Sequence, residues 1–318
     1  MTSRLFLAES DAACNQITEL YDFVWPTAVG MWNLRWQVAG YVQARPAATV
    51  EDLEARFVGG SSIRGANLRR ACVDNSWDTQ QEQFAKFLLI DLCAIYEGWL
   101  GAALDAVRGS EADLKDLQFP TSHTLSGKKV GVSAALGRLH KNESALIVSA
   151  LYPALRRHAK NSRNKLETIL ACYRYFKELR NVLIHGGGRA SEKLLEAHAV
   201  YVSIGAATDL DLKEIPAHHP PVLGFPVKLS LRGVVGFSGL LIRLVTTLDA
   251  ELARTQPAEE LLARRLAESL GKGKLLPPKG TSQRRGRIRA CLRNLGLPFE
   301  GVDLKLIDAW STRRKLVS

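Results

Sequence analysis

Along most of the chain, apolar residues recur at helical spacing with polar residues between them. From Asp11 to Val42 the segment is rich in aromatics. Trp25, Trp32 and Trp36 fall at i, i+7 and i+11, on one helical face, which points to core packing or a subunit interface rather than base stacking. Pro26 is expected to start or kink this helix, and Arg45-Pro46 to end it. A short helix is predicted over 49–57, with Thr49 as N-cap and Asp52 three residues on, followed by a loop at Gly59-Gly60-Ser61-Ser62. Asp78 opens a long helix to about Val107, with Phe84, Phe87, Leu88, Leu92, Ile95, Trp99 and Leu104 as its stripe. Residues 109–132 read as a connector. A helix over 144–158 carries Tyr152-Pro153 as a kink.

The next helix runs from about Asn164 to His185, and Gly186-Gly187-Gly188 stops it as a left-handed cap would. Between 199 and 230, Val200-Tyr201-Val202 and two proline-bounded apolar pieces predict short strands or a hairpin. Leu231 to Arg254 is the last long amphipathic helix, and no internal repeat interrupts the series. The fold class expected is mainly α, a helical bundle with a small β-hairpin insertion and a basic C-terminal helical extension. Three regions are expected: 1–77, 78–254 and 255–318.

Composition narrows the class. At 46% hydrophobic and 24% charged, the chain is able to bury a sizeable core. The net charge of +11 favours polyanionic partners, nucleic acid before an acidic membrane surface. Most of that excess lies beyond Thr255, where 14 Lys/Arg face 6 Asp/Glu. Gly271 to Arg289 reads as a linker leading into a small module with helices over 283–295 and 304–316. Five scattered cysteines, none in a CxxC pair, argue against a disulfide framework or zinc finger and suit a reducing cytoplasm. Glu9 and Asp11 interrupt the start too early for a signal peptide. No run of 18 apolar residues is expected, because Arg243 breaks the nearest, Gly233 to Leu248. The expectation is a soluble, cytoplasmic protein without a membrane partner.

The segment that carries chemistry is Arg180-Asn181-Val182-Leu183-Ile184-His185-Gly186. Asn181 and His185 are i, i+4 and share a helical face; the long Arg180 side chain can swing toward them where the helix ends. Arginine presents a planar fork of donors to phosphate oxygens. Histidine exchanges protons near neutrality, and asparagine can orient either. RNA brings its own nucleophile, the 2′-hydroxyl, so cleavage through it needs no metal. No carboxylate cluster or His/Cys spacing resembles a metal site, and no cofactor is expected. The same residues would also serve a structural end, with Arg180 paired to Glu178 and His185 capping the helix dipole.

RNVLIH resembles the R-(polar)-x-x-x-H signature of the HEPN superfamily, all-helical ribonucleases of toxin–antitoxin and antiviral systems. Ile90 to Leu100, with Tyr96-Glu97-Gly98-Trp99, resembles that family's earlier helix, and the resemblance covers roughly 78–254. It implies a metal-independent endoribonuclease that leaves 2′,3′-cyclic phosphate and 5′-hydroxyl ends. Arg180 would bind the scissile phosphate, His185 would act as general acid or base, Asn181 would position the site, and Glu97 would orient Arg180 or His185. One motif per chain implies a homodimer with a composite site, and leaves room for an antitoxin or other defence-system partner. The alternative is a non-catalytic HEPN-like module that binds nucleic acid, a nucleotide or a protein.

The remaining candidates are simpler. Arg284, Arg285, Arg287, Arg289 and Arg293 suit phosphate contacts, or else form a solvated charged face. His218-His219, between Pro216 and Pro220, reads as a solvated loop, and His123, His140, His158 and His198 have no partner at ligand spacing. Gly186-Gly187-Gly188 and Gly127-Lys128-Lys129 lack the context of a phosphate loop.

Overall fold

The computed structural model describes residues 5–270, 277, 278, 280–314 and 316. It is mainly helical, with twelve α-helices and one two-stranded sheet among the described residues. Four long helices make the centre: α1 (Ala8–Ala44), α3 (Trp77–Ala106), α7 (Leu166–His185) and α9 (Leu231–Ala253). α3 packs on α1, α7 and α9, and α9 also meets α1 and α7. α9 is buried without a break from Leu244 to Ala253, as befits a helix surrounded by others. Both α3 and α9 are long and apolar enough to cross a bilayer, with 50% and 61% of their most apolar stretches buried in the protein. This corrects the expectation that Arg243 disqualifies the α9 run.

Local sequence accounts for most boundaries. In α2 (Val50–Phe57), the Thr49 hydroxyl accepts the Asp52 N–H while the Asp52 carboxylate accepts the Thr49 N–H, the reciprocal cap its spacing predicts. Ser76 caps α3 and Ser230 caps α9. The Tyr152-Pro153 kink takes the form of a π-helical turn over Ile147–Leu151 just before α6 (Tyr152–Arg156). Proline has no N–H to continue the ladder and its ring crowds the preceding turn. Pro26 lies inside α1 rather than at its start.

Several expectations are corrected. Residues 192–202 form helix α8 (Glu192–Val202), not strands: Leu194, Ala197 and Tyr201 are buried at helical spacing, and Ser191 caps the first turn. The hairpin lies earlier, pairing β1 (Ser122–His123) with β2 (Lys129–Val130) between α4 (Glu111–Asp116) and α5 (Val132–Leu139). Gly127 turns it with φ +78°. Trp25, Trp32 and Trp36 are not core residues; they are 42%, 39% and 65% exposed. Phe87 is exposed too, and the stripe of α3 that meets the core is Leu88, Leu92, Cys93, Tyr96, Trp99 and Leu100.

A helix over the start of the basic region, α10 (Gln256–Leu270), was not expected, whereas α11 (Ser282–Asn294) and α12 (Leu304–Arg313) fall where two helices were predicted. Residues 271–276 and 279 of the expected linker lie outside the described residues. One continuous apolar core runs from Leu5 to Trp310 and crosses residues 77 and 254, while Val38, Leu53, Val58, Leu68 and Cys72 form a small satellite core under α2.

Candidate functional site

The crossing of α3 and α7 sets Glu97 opposite one stripe of α7. Tyr173, Lys177 and Arg180 are i, i+4 and i+7 on that helix, so they share a face. All three reach the Glu97 carboxylate. Lys177 Nζ lies 3.1 Å from Oε1, Arg180 Nη2 donates to Oε2, and the Tyr173 hydroxyl lies 3.4 Å from Oε1. Lys177 also donates to Gln118 Oε1 and stands 5.3 Å from the Phe119 ring centre. Tyr173 and Tyr96 pack with ring centres 4.7 Å apart behind the carboxylate.

Arg180 is 17% exposed, not the open helix-end side chain that its position suggests. Its Nη1 donates to Asn181 Oδ1 at 3.1 Å, and Asn181 Nδ2 lies 3.4 Å from Glu178 Oε2. The expected alternative partner of Arg180, Glu178, therefore meets Asn181 instead. Arg180 Nε is closed off from solvent and has no acceptor among the described residues. One turn before Glu97 on α3, burial pushes the Cys93 thiol up to about 12, with the Arg180 charge opposing the rise. Cys93 is thus a neutral packing group beside the ion cluster.

His185 is exposed in the last turn of α7. The helix stops there because Gly187 and Gly188 take φ +61° and +72°, and the N–H groups of Gly186 and Gly188 both return to the Val182 carbonyl. The structure brings Glu97, Arg180 and Asn181 together, and places His185 one turn beyond Asn181 at the open end of the same helix. Lys177 was missed, although it lies one turn before Asn181 and its spacing from Arg180 was visible. None of these residues lines the cavity of about 1200 Å³ at the other end of α3.

The basic helix divides. Arg284 is 1% exposed and spends its guanidinium internally, on Asp308 at 2.7 Å, Thr312 at 3.0 Å and the Pro277 carbonyl at 3.2 Å. It holds α11 to α12, which corrects its assignment as a phosphate contact. Arg287, Arg289 and Arg293 are exposed, and Arg285 is half-buried with one bond to the Gly280 carbonyl. His218 is not a solvated loop residue. Its ring packs 4.9 Å from Tyr201 and 5.2 Å from His198, and burial lowers the pKa of both histidines. His140 meets the buried Glu251, with Nε2 3.1 Å from the backbone carbonyl. No group of three or more metal-ligating side chains occurs among the described residues. Comparison with protein-family profiles, curated proteins and solved structures returned no match.

Proposed function

We propose that this chain is a HEPN-type endoribonuclease that cleaves RNA without a metal. The observation that carries the reading is the gathering of Arg180, Asn181 and Lys177 at Glu97, with His185 exposed one turn past Asn181 in front of a glycine stop. In this reading His185 takes the proton of the 2′-hydroxyl or protonates the leaving 5′-oxygen. The 2′-oxygen attacks phosphorus, the bond to the 5′-oxygen breaks, and a 2′,3′-cyclic phosphate and 5′-hydroxyl result. Arg180 stabilises the charge that builds on the phosphate oxygens, Glu97 and Asn181 hold its fork in place, and Lys177 adds a second positive charge. The helices α3, α7 and α9 would be the HEPN bundle, and a second copy would complete the cleft as a homodimer. Arg285, Arg287, Arg289 and Arg293 would add phosphate affinity. A role as toxin or antiviral effector, with an antitoxin or other defence partner, follows from the resemblance.

Purified wild-type protein is expected to cut RNA in excess EDTA. Arg180→Ala and His185→Ala are each expected to lower the rate by about 100-fold or more with the circular dichroism spectrum unchanged. Cutting by the double variant at the wild-type rate overturns the reading. One observation favours a second reading, a scaffold that binds nucleic acid without cleaving it: the Arg180 guanidinium already has a carboxylate partner. Salt-sensitive RNA binding with no cleavage by wild type supports that alternative.

A further inference from the structure

Arg243 sits in the middle of α9, a helix otherwise committed to the core. A guanidinium half-withdrawn from water needs hydrogen bonds and counter-charge. Arg243 has little of either. Its Nη1 donates to Ser162 Oγ at 3.1 Å, and its Nε is closed off with no acceptor among the described residues. The nearest carboxylate, Asp211, is held by Lys165 at 2.7 Å. Burial lowers the Arg243 pKa, opposed only by the charge of Asp211.

Arg243 also stands where two cavities meet. One, of about 1200 Å³, lies between the start of α3, the 211–219 loop and the first turns of α9; the other, of about 480 Å³, shares Asp211, Leu212 and Arg243 with it. Gly236 and Gly239 line the larger one and keep α9 low between its first turn and Arg243. Lys160, Lys213 and Lys228 stand around it without ion-pair partners, whereas the acids Asp211, Glu214 and Glu82 are taken by Lys165, Arg232 and Lys86. The N-terminal end of α9, which opens into the same cavity, adds positive potential. At the rim is Trp25, 42% exposed. A space this large, with positive charge at depth and an open indole at its edge, exceeds what a bare anion needs.

We propose that this cleft binds a free nucleotide, with its terminal phosphate at Arg243 and Lys160 and its base against Trp25. Indole faces accept any base by stacking. Arg243 is reached only at the inner end of the cleft, so it takes the end of a ligand and not the middle of a strand. The site is independent of the proposed nuclease chemistry, since neither Arg180 nor His185 lines it.

The test is isothermal titration of the full chain with ADP, inorganic phosphate and adenosine. ADP is expected to bind with a dissociation constant of about 1–100 μM, and phosphate and adenosine about tenfold or more weaker. Trp25→Ala should erase the advantage of ADP over phosphate. The exposed pair Lys160→Ala/Lys228→Ala should weaken ADP about tenfold or more. In Arg243→Gln, ADP should no longer raise the melting temperature, and Arg180→Ala should bind ADP as wild type does. Absence of ADP binding up to about 1 mM overturns the proposal. So does binding that survives the lysine pair but is lost in Arg180→Ala, which places the nucleotide at the motif. Displacement of ADP by an oligonucleotide equally well with and without a terminal phosphate overturns it in favour of a strand-binding groove.

Discussion

Asp249 is wholly buried in α9, and its two carboxylate oxygens accept the N–H groups of Phe6 and Leu7 at 2.7 and 2.9 Å. Leu7 opens α1 without a side-chain cap of its own, so a residue far along the chain supplies the acceptor. Burial raises the Asp249 pKa to about 7; the bonds from Phe6, Leu7 and Ser10 oppose the rise and the nearby Asp11 adds to it. The folded protein then holds a proton that the unfolded chain has released between the ordinary value of 3.8 and about 7. Stability from this group is therefore full below about pH 4 and is lost as pH rises through about 7. Asp249→Asn removes the titration and turns an amide donor toward one of two backbone donors, at a cost of about 1–3 kcal/mol. Urea denaturation should show a wider gap between wild type and variant at about pH 5 than at about pH 8. A gap independent of pH rules the titration out. At this scale the motif residues were legible because their chemistry and spacing lie within one helix. The burial of Arg284 was not, because its partners Asp308 and Thr312 belong to a helix that only tertiary packing brings near.

The end of α7 depends on one backbone conformation. Gly187 has φ +61°, a region in which a side chain is strained even though the space around it is open. Gly187→Ala should lower stability by about 1 kcal/mol and, because His185 lies two residues earlier, should slow RNA cleavage more than it lowers RNA affinity. Equal losses in both would place the glycines in binding rather than in positioning the histidine. The stop was legible from three successive glycines, and α2, α3 and α9 from caps and a long 3.6-residue period. The failures have separate causes. In α8, Val200 and Val202 carry strand propensity but are exposed at 48% and 52%, so Leu194, Ala197 and Tyr201 set the helix. The strands β1 and β2 are two residues each and show no burial alternation to read. Trp25, Trp32 and Trp36 do share a face of α1, but periodicity names a face without saying whether a neighbour covers it.

At the scale of the molecule, the basic C-terminal region is tied into the core rather than appended to it. Glu259 of α10 is buried and accepts from Ser144 at 2.6 Å, from the Trp310 indole of α12 at 2.7 Å and from Arg314 at 2.7 Å. Arg265 of α10 donates to the Phe6 carbonyl at 2.9 Å and to the Leu295 carbonyl at 2.6 Å, joining both ends of the chain. Positive charge here thus has two uses: Arg265 and Arg284 hold helices together, while Arg287 and Arg289 face outward. A cut at residue 254 would strip α10 from a core to which it contributes Ala258, Leu262 and Leu266. The less invasive change is Glu259→Ala, which leaves a buried indole N–H, a hydroxyl and a guanidinium without their shared acceptor. The expected loss is about 3–5 kcal/mol, the range for breaking a buried charged pair from one side. In hydrogen exchange, α12 of the wild type should be protected to a similar degree as α9, and in Glu259→Ala it should exchange well before α9 does. If α12 of the wild type already exchanges like a free terminus, the C-terminal helices are a separate unit, and the three-way contact at Glu259 does not bind them to the rest.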